Sequence, residues 1–138
     1  MEKDKICLDR RVNYYETDKM GVVHHSNYIR WFEEARVMWL LEAGIPYDDI
    51  EEMGVQMPVI GVKCEYKMPA KFGDIICVKP ETKEITGVKF IIGYTITNKK
   101  TNKVLVLGET KHCFVNSEFK VINLRKTNPN LYEKLSEL

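Results

Sequence analysis

Chemistry-bearing residues crowd one stretch of the chain, Tyr14-Tyr15-Glu16-Thr17-Asp18-Lys19-Met20-Gly21-Val22-Val23-His24-His25-Ser26-Asn27-Tyr28. Asp18 places a carboxylate a few residues ahead of Ser26, a residue type favoured at the N-cap of a helix. A helix start carries backbone N–H groups with no intrahelical partner and the positive end of the helix dipole. A base held beside such donors suits attack on a carbonyl, because the donors stabilise the oxyanion that forms. On residue type alone Asp18 reads first as a turn or capping residue, since Asp bonds readily to nearby backbone. Ser26 lacks a Gly-x-Ser-x-Gly elbow and is assigned as the N-cap, not as a nucleophile.

The surrounding elements must hold this stretch in place. Ile6, Leu8, Val12 and Tyr14 alternate with polar neighbours, which predicts a half-buried strand running into the loop. Ser26 and the Gly44 and Pro46 stop bound a helix of about 18 residues, ~27 Å long. Apolar residues fall on nearly every side of it, which predicts burial on more than one face. A short acidic helix follows from Pro46 to Met53. Ile60, Val62, Cys64, Tyr66 and Met68 then alternate with Gly61, Lys63, Glu65 and Lys67, predicting a strand with one core face. Strands are further expected from Ile75 to Glu84, from Val88 to Ile96, and from Lys103 to about Asn116 after an Asn98–Asn102 hairpin loop. A weak helix is expected from Asn128 to the end. The order is a strand, a long helix and four strands joined by turns, hence an α+β fold with an antiparallel five-stranded sheet around one central helix. Open sheet edges imply a symmetric dimer that extends the sheet.

The 138 residues suit a single domain spanning 1–138, and 44% apolar with 30% charged residues is ordinary for a globular chain. A net charge of +1 gives no field for nucleic acid. The polar Met1-Glu2-Lys3-Asp4-Lys5 start is no signal peptide and no apolar run approaches a membrane span, so the expected home is cytoplasmic. Cys7, Cys64, Cys77 and Cys113 form no C-x-x-C pair and are expected as buried free thiols. His112, within a strand, is expected to be structural, and His24 to be a pocket wall or solvent-exposed. Lys63, Lys67 and Lys71 are either a solvated sheet face or contacts to phosphates.

Tyr-x-x-Thr-Asp-x-x-Gly-Val-Val-x-His-x-x-Tyr at Tyr14 to Tyr28, followed by Trp31-Phe32-Glu33-Glu34-Ala35-Arg36, resembles a motif of the hot-dog-fold acyl-CoA thioesterases. A second segment, Tyr66-Lys67-Met68-Pro69-Ala70-Lys71-Phe72-Gly73-Asp74, resembles that group too, specifically its 4-hydroxybenzoyl-CoA thioesterase and YbgC-like branch, and the likeness covers roughly residues 6 to 117. His24 stands where that branch often has an aromatic, a change expected to tune the pocket.

The resemblance implies a hot-dog fold and hydrolysis of an acyl-CoA thioester to a carboxylate and free CoA. It places Asp18 at the catalytic carboxylate and the backbone N–H of about His25 at the group that polarises the carbonyl. Two roles are open to Asp18, general base toward water or nucleophile. His25 can act through its imidazole or its amide, or merely pack. Asn27 and Tyr28 are the candidates for the acyl pocket, with Tyr28 equally readable as plain core, and Lys67 and Lys71 for the CoA phosphates. Thiolate leaves readily, so no metal and no cofactor are needed. The resemblance also implies an active site at the subunit interface of a homodimer or homotetramer. The competing reading is a non-catalytic acyl-CoA or acyl-carrier-protein binding module on the same fold, for which Asp18 would be superfluous. A hydratase of this fold would need a different helix motif, which the sequence lacks.

Overall fold

The computed structural model describes residues 6–138. Five strands, β1 (Leu8–Arg11), β2 (Val59–Tyr66), β3 (Ile75–Ile85), β4 (Lys89–Asn98) and β5 (Val104–Cys113), form one sheet in the order β1-β3-β4-β5-β2. Every pairing is antiparallel. Among the described residues four α-helices accompany them, α1 (Ser26–Glu42), α2 (Tyr47–Glu52), α3 (Leu124–Thr127) and α4 (Pro129–Ser136). None of the described helices is long and apolar enough to cross a membrane.

The long helix stops where its chemistry demands. Gly44 takes a positive φ of 83°, its amide donates to Leu41 O at 3.1 Å, and Ile45 N donates to Leu40 O at 3.0 Å. These two bonds satisfy carbonyls that the helix itself leaves open, and the buried Leu40 and Ile45 flank them.

Tyr28, Trp31, Phe32, Ala35, Trp39 and Leu40 bury one stripe of α1, the spacing of a single helix face. The expected burial on more than one side is not met within the chain: Ile29, Val37 and Leu41 stand exposed on the other side. Beneath the stripe Phe32 stacks on Tyr94 with ring centroids 4.4 Å apart. Gly108 on β5 makes this possible, because a side chain there would collide with the Phe32 ring.

Both sheet edges depart from the expected strands. The first strand ends at Arg11, and the chain turns through a 3-10 segment at Tyr14–Glu16, leaving Tyr14 exposed. The cause is local: Val12 N donates to Asp74 O at 2.9 Å, and the Glu16 carboxylate accepts from Asn13 N at 2.8 Å, which curls the chain off the sheet. At the other edge β2 forms over the expected stretch, but its burial does not alternate: Ile60, Val62, Tyr66 and Met68 of its supposed core face are exposed, with Cys64 half-buried. β2 is the last strand, so one of its sides has no neighbouring strand. The four cysteines are free thiols and half-buried, not buried.

A chain of polar groups threads the core between α1 and the sheet. Arg36 donates through Nε to Tyr47 Oη at 3.1 Å and through Nη1 to Tyr94 Oη at 3.0 Å. Tyr94 and Thr110 hydroxyls are 2.7 Å apart, Thr110 Oγ1 is 2.9 Å from His112 Nε2, and His112 Nδ1 is 3.0 Å from Met57 O. A guanidinium only donates and a carbonyl only accepts, so the proton of His112 sits on Nδ1 and each hydroxyl donates toward His112. Burial, joined by the Arg36 charge and opposed by the Met57 hydrogen bond, pushes the imidazole down to about 4. His112 is a neutral, fully bonded core histidine.

Candidate active site

The loop between β1 and α1 is a small folded unit. Asp18 N donates to Val22 O at 2.8 Å, and Gly21 N to Asp18 O at 3.0 Å, with Gly21 at a φ of 81°. Only a residue without a Cβ takes that conformation at no steric cost. One oxygen of the half-buried Asp18 carboxylate, Oδ1, accepts from Met20 N at 2.8 Å, which fixes the side chain on its own turn. Both motif segments meet here: Val22 pairs with Lys71 in a bridge, Val23 N donates to Ala70 O at 2.9 Å, and Ala70 N donates to Tyr28 Oη at 3.1 Å.

At the helix start the N-cap is His25, in helical conformation, not Ser26. The ring of His24 does the capping instead, with Nδ1 3.2 Å from Ser26 N and 2.9 Å from Ser26 Oγ. The other amides nearby are also engaged. His24 N donates to Glu16 O at 2.8 Å, Asn27 N to His24 O at 3.0 Å, and Tyr28 N to His25 O at 3.4 Å. The amide of His25 is the one in this run, among the described residues, that donates to no protein acceptor. Its exposed ring stacks on His24 with centroids 4.3 Å apart and meets the edge of Tyr66 at 6.4 Å.

Of the remaining predicted residues, Asn27 uses its side-chain Nδ2 on Glu16 O at 2.9 Å and therefore ties the loop down. Tyr28 is 3% exposed and packs against Trp31 and Tyr66, so it forms the floor beside the loop. Lys67 is exposed and lies 3.6 Å from Glu65. Lys71 is exposed on the segment that bridges to Val22, next to the loop. The structure thus gathers Asp18, His25, Tyr28 and Lys71 around one loop and turns Lys67 toward its own strand's carboxylate.

Glu16, a residue the sequence reading passed over, holds the unit together. It is 5% exposed, and its carboxylate accepts from Arg10 Nη1 at 2.9 Å, Asn13 N at 2.8 Å and Trp31 Nε1 at 3.0 Å. Burial works against its charge, yet the Arg10, Asn13 and Trp31 bonds outweigh it and hold the carboxyl below its usual range. Its carbonyl meanwhile receives His24 N and Asn27 Nδ2. No motif announces this role, because a Glu in a polar loop looks solvated until its partners from β1 and α1 are placed.

The loop thus carries a carboxylate fixed by its own turn, a helix-start amide with no protein acceptor, and the exposed apolar side chains of Tyr14, Met20, Tyr66 and Phe72. The family profile of the thioesterase-like superfamily matches residues 12–130, and the chain belongs to that superfamily. YneP of Bacillus subtilis, provisionally named an acyl-CoA thioesterase, is 35% identical over 127 residues, 89% of this chain and 91% of YneP. The structure of a DHNA-CoA thioesterase from Staphylococcus aureus superposes with a TM-score of 0.88 at 30% identity, covering 95% of this chain and 88% of that one. A hypothetical protein from Aquifex aeolicus superposes with a TM-score of 0.86 at 34% identity, covering 94% and 98%. The architecture is the hot-dog fold of these enzymes, as the motif likeness implied.

Proposed function

We propose that this protein hydrolyses acyl-CoA thioesters, with Asp18 as general base or nucleophile and the His25 amide as oxyanion donor. The open His25 N–H at the start of α1 carries this reading. A thioester carbonyl seated against it gains a hydrogen bond that strengthens as negative charge develops on oxygen, an effect worth roughly 3 kcal/mol. Asp18, fixed by the Met20 amide through one oxygen, either takes a proton from attacking water or attacks the carbonyl itself. The tetrahedral intermediate collapses with loss of CoA thiolate, and the acyl group leaves as a carboxylate. A thiolate departs without a strong general acid.

A second copy of the chain completes the site in this account. Val62 and Tyr66, 42% and 49% exposed on the edge strand β2, are the apolar groups that pairing of β2 with its copy would cover. Lys71 is the better placed of the two lysines for a CoA phosphate, since Lys67 already faces Glu65. A CoA donor places the reaction in the cytoplasm.

The test is thiol release from a panel of acyl-CoA esters of increasing chain length, with an aromatic member of the benzoyl type. At least one member should be turned over catalytically. Binding of the panel with no release from any member would replace the hydrolase with a binding module.

A further inference from the structure

A second group of side chains lies on the far face of the sheet. Arg10 of β1 points to the helix side, where it meets Glu16 and Glu34 at 2.9 and 3.0 Å. Side chains alternate along a strand, so Cys7 and Asp9 point the other way. Asp9 is register partner to Cys77 on β3, whose neighbours Ile76 and Val78 are fully buried on the helix side. Two residues at i, i+2 and one across the ladder therefore form a triangle, and one ligand atom from each of Cys7, Asp9 and Cys77 lies within 4.8 Å of the others. The Cys7 thiol faces Asp9 Oδ1 at 3.8 Å. The other carboxylate oxygen is held by the Lys99 ammonium, which orients the group.

We propose that Cys7, Asp9 and Cys77 bind one thiophilic divalent cation of the zinc type. Tetrahedral coordination with metal–sulfur bonds of about 2.3 Å sets ligand atoms roughly 3.8 Å apart, so contraction of the triangle by about 1 Å or less closes it. Two thiolates with one carboxylate select soft or borderline ions over magnesium and calcium. A fourth position remains for water. Binding converts M²⁺ and two thiols into a dithiolate complex and releases two protons. The bound ion would tie the four-residue edge strand β1 to β3. C-x-x-C spacing gives no hint of the site because the ligands come from two strands.

The experiment uses the reduced full chain titrated with Co²⁺ and Cd²⁺ and follows the thiolate-to-metal charge-transfer band, with protection of thiols from a disulfide reagent as a second measurement on the wild type. Saturation at one equivalent with two of the four thiols protected is expected. Cys7→Ser and Cys77→Ser should each lose the band, Asp9→Asn should weaken binding at least tenfold, and Cys64→Ser and Cys113→Ser should change nothing. Absence of a band at one equivalent, or full reactivity of all four thiols in saturating Cd²⁺, overturns the site.

Discussion

Acid should weaken this protein through His112 as pH falls from 6.5 toward about 4. The imidazole is 1% exposed, held neutral between Met57 O and the Thr110 hydroxyl, and pushed from 6.5 down to about 4. Protonation would give Nε2 a hydrogen facing a hydroxyl that already donates toward it, and the Arg36 guanidinium at the far end of the chain offers no acceptor. The unfolded chain takes up a proton near its ordinary value, and the folded one does not. Stability from this group is therefore present above pH 6.5 and is lost as pH falls through about 4. Between pH 7 and pH 4.5 the loss is ~2 kcal/mol, from the two pKa values and 1.36 kcal/mol per unit. Urea unfolding at fixed protein concentration, at half-unit steps across that window, reads it directly. His112→Gln should be less stable at every pH by ~1–3 kcal/mol, because buried partners are left unpaired. Its curve should nevertheless be flatter than wild type by the same ~2 kcal/mol. A wild-type slope that survives unchanged in His112→Gln would refute the assignment.

Glu16→Gln must turn an amide NH₂ toward a donor, so thermal unfolding should show a loss of ~2–4 kcal/mol from unpaired buried donors and a broken charged bond to Arg10. His25 offers a test of amide against ring: with a φ of −57° the position accepts proline, and His25→Pro removes the N–H. That variant should lose about a hundredfold in turnover of acyl-CoA, whereas His25→Ala, which keeps the amide, should lose much less. Equal collapse of both would move the function to the imidazole. If the proposed β2-paired dimer forms, Val62→Glu should convert it to monomer in light scattering and abolish turnover with it, and an active monomer would remove the partner from the site.

Elements whose signals are local were legible in the sequence. The Gly44 and Pro46 stop and the Asn98–Asn102 turn follow from backbone constraints that the fold honours, and β2 forms a strand where its alternation suggested one, without the expected core face. Burial was less legible because it depends on what lies above a face. Ile60 and Val62 have core-like character yet lie on an edge strand, and Ile29 and Leu41 belong to an apolar side of α1 that no described element of the protomer covers. In the site, residue type alone reads Asp18 as a turn residue, and the structure does hold its carboxylate on its own turn through the Met20 amide; only the motif likeness singles it out for chemistry. The cap was misplaced because Ser26 has the preferred chemistry while the His24 ring has the position. Glu16 was missed because its three donors come from β1, the turn and α1, which only the fold brings together.

The central claim rests on Asp18, and Asp18→Asn tests it with little else disturbed, since the Asn oxygen can still accept the Met20 amide. Thiol release from the best acyl-CoA of the panel should fall at least a hundredfold, the lower end for loss of an acid–base group, with substrate binding and assembly intact. Turnover near that of the wild type would contradict the account.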